Sequence, residues 1–411
     1  MLDFTEEQRS IQSAIRAWCQ RELEPKVEAL EAGTLPVYPL IRAMGQAFGI
    51  ADLARASMAA RAAGEHRSAG SGSRGGSTSA LTAILMMELS RVCPGFAMAL
   101  GASTGLFGGA VMARGTPEQR ERWALPVLTL EKIGAWGLTE PSAGSDAFGS
   151  MKTRARRDAS GGYRLSGSKT FITNAPFADV MLVYARIVDG ASGGGSAERV
   201  GAFLVLREDA GVSVGPPLRK MGMHASPTGE IFLDDVALAE DRLLGGAAAL
   251  AETDARKAAK SSLQGERFGM TPMCLGIVDR CLEEAVRYAK EREQWGKPIA
   301  TFQLVQEKLA RIYQARTIMK TLLLRQLESE AQGVALGDAE ASASKLYCAQ
   351  AATACALDAV QVMGGAGYMA GSVVEMMARD AKLFQIGGGT DEIQILRIAR
   401  ELLVADRSGV S

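Results

Sequence analysis

"YRLSGSKTFITN" (Tyr163–Asn174) decides how this chain is built. Its β-branched and aromatic residues, its short span and the closing Asn read as a strand that ends in a turn. "DVMLVYARIV" (179–188), "RVGAFLVLRE" (199–208) and "GEIFLDDVAL" (229–238) share that character. Together they predict an antiparallel β region of about a hundred residues beginning near Ile133. "DGASGGGSAER" (189–199) reads as a hairpin loop within it.

On both sides of this block the pattern is helical. "LTAILMMELSRV" (81–92) and "GFAMALGASTGLFGGAVMA" (95–113) are apolar enough for core helices. Phe302, Val305, Leu309, Ile312 and Met319 form one apolar stripe at helical spacing. The order is therefore helices, a β block, then a helical bundle: 1–132, 133–249 and 250–411. Ala59–Ala80, rich in Gly and Ser, reads as a loop. At the start, Thr5 and Gln8 form a capping-box pattern ahead of Ile11, Ile15 and Trp18.

Composition narrows the function. The 411 residues are 47% apolar, enough for a large interior, and Lys plus Arg (46) equals Asp plus Glu (46). Such a balance gives no overall attraction to nucleic acid or to an acidic membrane. Cys19, Cys93, Cys274, Cys281, Cys348 and Cys355 form no C-x-x-C pair, which suits reduced thiols in a cytoplasmic protein. With only His66 and His224 beside them, no usual metal-ligand spacing arises, so no metal is expected. Neither a targeting segment nor a long uncharged apolar run is expected.

Five segments carry candidate chemistry: "WGLTEPSAGSDAFG" (136–149), "GSKTFITNA" (167–175), "EREQWGKPIATFQ" (291–303), "QVMGGAGY" (361–368) and "RDAKLFQIGGGTDEIQ" (379–394). Hydroxyls at Thr139, Ser142 and Ser145, with Gly144 between, suit close approach to a ligand. Three consecutive glycines, Gly387–Gly389, offer backbone and no side chain.

In this order and spacing, the segments resemble the acyl-CoA dehydrogenase family over nearly the whole chain. "TEPSAGSD" resembles its first signature and "MARDAKLFQIGGGTDEIQ" its second; "FTEEQ" and "KMGMHASPTGEIFLDDV" fill intervals. The resemblance implies a mainly helical fold with an N-terminal helical domain, a β-barrel-like middle domain and a C-terminal four-helix bundle. It implies FAD as cofactor, an acyl-CoA substrate, an electron-transfer flavoprotein or similar acceptor, and a homo-oligomer, usually a tetramer. Neither nucleic acid nor membrane is an expected partner. Residue by residue, Leu138, Thr139 and Ser145 match positions that line FAD, and Phe171 and Thr173 match positions on the flavin. Arg292, Gln294, Trp295 and Gln303 match positions reaching the adenine half, often from a neighbouring subunit. Gln361, Gly364 and Gly365 match that second-subunit surface, and Thr390 and Glu392 match a turn near the pyrophosphate. Ser145, Arg267 and Gly389 are assigned to the substrate.

The implied reaction makes a trans-2-enoyl-CoA: a carboxylate takes the α-proton and flavin N5 takes the β-hydride. Many members carry the glutamate one residue before Gly-Thr; here that position is Gly388. A minority, including isovaleryl-CoA and long-chain acyl-CoA dehydrogenases, carry it far upstream in a stretch ending Glu-Arg. "SSLQGERFGM" (261–270) stands at that place and puts Glu266 on the shifted-base position. The resemblance gives the Gly388 N–H to the substrate carbonyl, and the glycines are expected to open space for a branched or wide acyl group. Asp391 and Glu392 rank as rival bases. Arg267, about 100° further round the helix, points to substrate or to a structural acid.

Three departures stand out: the Gly/Ser loop at 59–80, Pro272 six residues after Glu266, and "VALAEDRLLG" (236–245). An acyl-carrier-protein-linked dehydrogenase, an acyl-CoA oxidase and a non-catalytic DNA-binding flavoprotein relative are the alternatives on the same fold.

Overall fold

The computed structural model describes residues 3–63, 75–159, 161–188, 199–252, 255–334 and 336–408. Helix α1 (Glu6–Trp18) opens with the expected capping box: Gln8 N–H donates to Thr5 Oγ1 at 3.2 Å and Thr5 N–H to Gln8 Oε1 at 2.9 Å. Then come α2 (Val37–Ala47), α3 (Ile50–Ala62), α4 (Gly75–Ser90), α5 (Pro94–Gly101) and α6 (Gly109–Arg114), with short helical turns between and after them. The loop expected over 59–80 is thus helical at both ends; residues 64–74 lie outside the described residues. Pro94–Arg114 is long and apolar enough to span a membrane by composition, contrary to the expectation of no such run. Here Phe96, Ala97, Leu100 and Phe107 are buried within the protein.

The β block is one seven-stranded sheet: β1 (Gly134–Gly137), β2 (Arg154–Arg157), β3 (Tyr163–Thr173), β4 (Val180–Val188), β5 (Arg199–Leu206), β6 (Val212–Val214) and β7 (Thr228–Leu238). It is not purely antiparallel, because β1 and β2 both run parallel to β4. The expected hairpin loop falls on 189–198, outside the described residues; its flanking strands β4 and β5 pair antiparallel. Beyond β1 the chain bonds back to β3, where Thr170 N–H donates to Thr139 O at 3.0 Å, so the sheet curls toward a barrel. β4 is buried on both faces. Leu182 and Tyr184 pack with Trp123 and Phe107, while Met181 and Val183 pack with Tyr163 and Phe203.

The C-terminal part holds α7 (Ala255–Glu291), α8 (Gln303–Ala331), α9 (Asp338–Met363), α10 (Val373–Phe384) and α11 (Asp391–Ser408). The predicted α8 stripe faces the core: Ile312 and Met319 are fully buried, and Phe302, Val305 and Leu309 pack beside them. Cys274 and Cys281 on α7 lie near Cys348 and Cys355 on α9, so these helices run parallel. All six thiols are free and buried. Asn174 ties helices to sheet: its Nδ2 donates to Ala99 O and Gly134 O, and its Oδ1 accepts from Tyr38.

Candidate active site

Helix α7 runs from Ala255 to Glu291 as one element with Pro272 inside it. Four residues earlier than Met270, Glu266 lines a cavity of about 1900 Å³ between α7 and the N-terminal helices. Burial pushes its carboxyl up to about 7; the Lys345 and Arg267 charges pull the other way. Arg267, assigned to the substrate with a structural acid as the alternative, takes the acid. Its side chain is buried and turned to Asp338 at the start of α9 (3.1 Å), since neighbouring helix positions diverge by about 100°.

The three glycines form the turn between α10 and α11. Gly388 and Gly389 have φ of +64° and +91°, backbone that L side chains rarely adopt. A β-carbon on Gly388 would stand 2.6 Å from Met270 Cε and 3.5 Å from the Glu266 carboxyl carbon. The missing β-carbon at Gly388 therefore leaves room for the end of the Met270 side chain. Among the described residues, the Gly388 N–H meets no hydrogen-bond acceptor.

A buried polar network holds this turn from below. Lys345 Nζ donates to Gly389 O at 2.9 Å and lies 3.7 Å from Asp391 Oδ1. Gln394 Nε2 donates to Gly388 O (3.2 Å) and Gly389 O (2.8 Å), and Gln350 Nε2 to Asp391 Oδ2 (3.1 Å). Asp391 is thus engaged in structure and does not line the cavity. Thr390 Oγ1 accepts from Ile393 N–H (3.4 Å) at the start of α11, and Glu392 is exposed in its first turn. Sequence reading missed Lys345 and Met270. A lone lysine among small buried residues, Ala341 and Ala349 one turn either side, was the available signal for Lys345.

The ends of β1 and β3 bring together another set. Leu138 is buried, Thr139 and Thr173 are half-buried, and Ser145 is exposed. Phe171 sits at a break in the β3–β7 register with φ +57°, and its ring is 69% exposed. Beneath them Lys169 and Glu140 form a fully buried ion pair (2.8 Å) that sequence reading also missed. Glu140 further accepts from the Lys152 and Thr153 amides, at 2.6 and 3.0 Å. Burial lowers the Lys169 ammonium to about 8, opposed by Glu140. An exposed aromatic face, two hydroxyls and the open space at Gly144 suit a flat ring system that hydrogen-bonds at its edge.

Arg292, Gln294, Trp295, Gln303, Gln361, Gly364 and Gly365 do not join this set. They lie exposed at or beyond the C-terminal ends of the parallel helices α7 and α9, or at the start of α8. From Glu266 to the end of α7 is about 37 Å at 1.5 Å per residue. Strands β8 (Glu293–Gln294) and β9 (Lys297–Pro298) make a two-residue hairpin whose turn, Trp295-Gly296, has φ of +52° and +73°. That turn holds the Trp295 ring out, 85% exposed, with Phe302 edge-on at 5.5 Å.

Three domain families match the chain: the N-terminal domain of acyl-CoA dehydrogenase over 5–131, its middle domain over 135–236 and its C-terminal domain over 256–403. An acyl-CoA dehydrogenase of Bacillus subtilis (strain 168) is 33% identical over 403 residues, covering 98% of this chain and 99% of that one. Butyryl-CoA dehydrogenase from Megasphaera elsdenii superposes with a TM-score of 0.83 at 29% identity, covering 98% and 100% of the two chains. A glutaryl-CoA dehydrogenase from Mycobacterium smegmatis in complex with FADH2 gives 0.81 at 26% identity over 97% and 95%.

Proposed function

The chain belongs to the acyl-CoA dehydrogenase family, and from that premise we propose that Glu266 is the base that takes the α-proton of an acyl-CoA thioester. It is a flavin-dependent oxidoreductase acting on a CH–CH bond. One observation carries the assignment of the base: Glu266 is the single charged side chain on the cavity wall among the described residues, and it sits beside the Gly388 turn. A base needs a pKa near the working pH and reach to its proton, and burial raises this carboxyl toward neutrality.

Bound FAD supplies the hydride acceptor. Phe171, Leu138, Thr139, Thr173 and Ser145 fit its ring by their exposed aromatic face and hydroxyls. Thr390 and Glu392 lie at the helix start that suits its phosphates. Gly388 N–H donates to the thioester carbonyl as negative charge grows there, with Gly389 completing the turn. Glu266 holds the abstracted proton at its carboxylate, and the apolar wall excludes water. Because Arg292, Gln294, Trp295, Gln303, Gln361, Gly364 and Gly365 are remote from Glu266 in one chain, they serve a neighbouring subunit's FAD. The assembly is a homo-oligomer, as a tetramer, in the cytoplasm, and an electron-transfer flavoprotein or similar acceptor reoxidises it. The division at 132/133 and 249/250 belongs to the same proposal. It rests on the passage from helices to sheet and back.

The product is the trans-2-enoyl thioester, and the acyl group is branched or bulky. The test is a panel of acyl-CoA thioesters with an artificial electron acceptor. Oxidation of at least one, with matched enoyl product, is expected; a flavin-loaded protein inert toward all of them would overturn the reading.

A further inference from the structure

Resting on that reading of Glu266, we infer that this site takes a large, uncharged hydrocarbon acyl group. The cavity, at about 1900 Å³, exceeds the usual 300–1,000 Å³ of small-molecule pockets. Its wall reaches from Glu266 to Ile15 on α1, Leu53 on α3 and Leu85 on α4, so depth extends well past the reacting carbons. Among the described lining residues there is no lysine, arginine or histidine. A second carboxylate on the acyl group would be desolvated there without a partner, which is strongly unfavourable. Six methionines on the wall, Met58, Met86, Met98, Met112, Met270 and Met273, can adapt to irregular apolar shapes.

The walls are also thinned. Gly105 and Gly109 on the N-terminal side, and Gly265 and Gly269 flanking Glu266, all line the cavity inside helical runs. A β-carbon at any of the four would meet nothing within 4 Å. Glycine inside a helix is disfavoured against alanine, and among the described residues no neighbouring group fills the space it leaves. Width at these points is open to a ligand.

Butyryl-, octanoyl-, palmitoyl-, 3-cyclohexylpropanoyl- and glutaryl-CoA test this. The readouts are kcat/KM with an artificial acceptor, and Kd by calorimetry on FAD-loaded Glu266→Gln protein. Palmitoyl- or cyclohexylpropanoyl-CoA should exceed butyryl-CoA about tenfold or more in both readouts, as added buried methylenes strengthen binding. Glutaryl-CoA should rank last. The larger of the palmitoyl and cyclohexyl values tells a long chain from a ring. A best value for butyryl- or glutaryl-CoA, or a flat Kd series, would overturn the inference. Failure to oxidise any member would instead sink the base assignment, while the Kd series still judges the cavity. Gly105→Leu should lower the palmitoyl-to-butyryl ratio about tenfold without lowering the melting temperature. Gly109→Leu provides the same reading from the next turn, and an unchanged ratio in both would count against the cavity.

Discussion

The Glu266 carboxyl carbon lies 3.5 Å from where a β-carbon on Gly388 would stand. Two backbone positions far apart in sequence thus address one small volume. Met270 fills the Gly388 side of it, so the carboxylate is delivered from α7 alone.

Glu266→Gln keeps the size and hydrogen bonding of the side chain and cannot accept the α-proton. The variant should retain FAD and bind acyl-CoA, yet slow flavin bleaching by roughly 10²–10⁴-fold. Anaerobic stopped-flow mixing measures this directly. Near-normal bleaching would reject the assignment.

Gly388→Ala forces an L side chain into the left-handed region, at roughly 1–2 kcal/mol, and drives its β-carbon into Met270 Cε. The melting temperature and the rate should both fall. Adding Met270→Ala should recover stability relative to the sum of the two single changes, because it removes the clash and leaves only the backbone strain. Strict additivity in thermal melts would show that the two do not press on each other.

Glu266 carries a carboxyl raised to about 7 by burial. As a base it must be ionised, so kcat/KM should fall about tenfold per pH unit below that value. Facing it are Lys345 from α9 and Arg267 on its own helix; Asp391 and Cys274 act on Lys345. Lys345→Met removes a cation that favours the carboxylate, so the rate profile's midpoint should move to higher pH. An unmoved midpoint would leave Lys345 with a structural role only. The sign for stability is opposite to that for rate. A folded pKa above the unfolded value stabilises at low pH, and that contribution is lost as pH rises through about 7. Glu266→Gln should therefore raise the melting temperature more at pH 8 than at pH 5.

Trp295→Ala removes a ring held 85% exposed by a strained two-residue turn. If that ring meets a neighbouring subunit and its FAD, the variant should lose FAD on gel filtration and sediment as a smaller species. Arg292→Ala should do the same. Full FAD occupancy with unchanged sedimentation would separate this end of the bundle from the cofactor.

The β-branched run Tyr163–Thr173, the apolar stripe on α8 and the Thr5–Gln8 capping box were legible because each is a local pattern repeating at the period of its own element. The position of Glu266 was legible through motif spacing, which preserves order along the chain. Contacts between distant segments were not. Arg267 turns to Asp338, Met270 fills the space at Gly388, and Lys345 rises under the glycine turn. None of these has a sequence period, since each depends on how segments 44 to 118 residues apart pack side by side. The parallel pairing of β1 and β2 with β4 escaped for the same reason. Sequence alone determined most of the elements and placed a carboxylate at Glu266 on α7. Tertiary packing decided which side chain fills the space beside that carboxylate, because close-packed interiors assign each volume to one group.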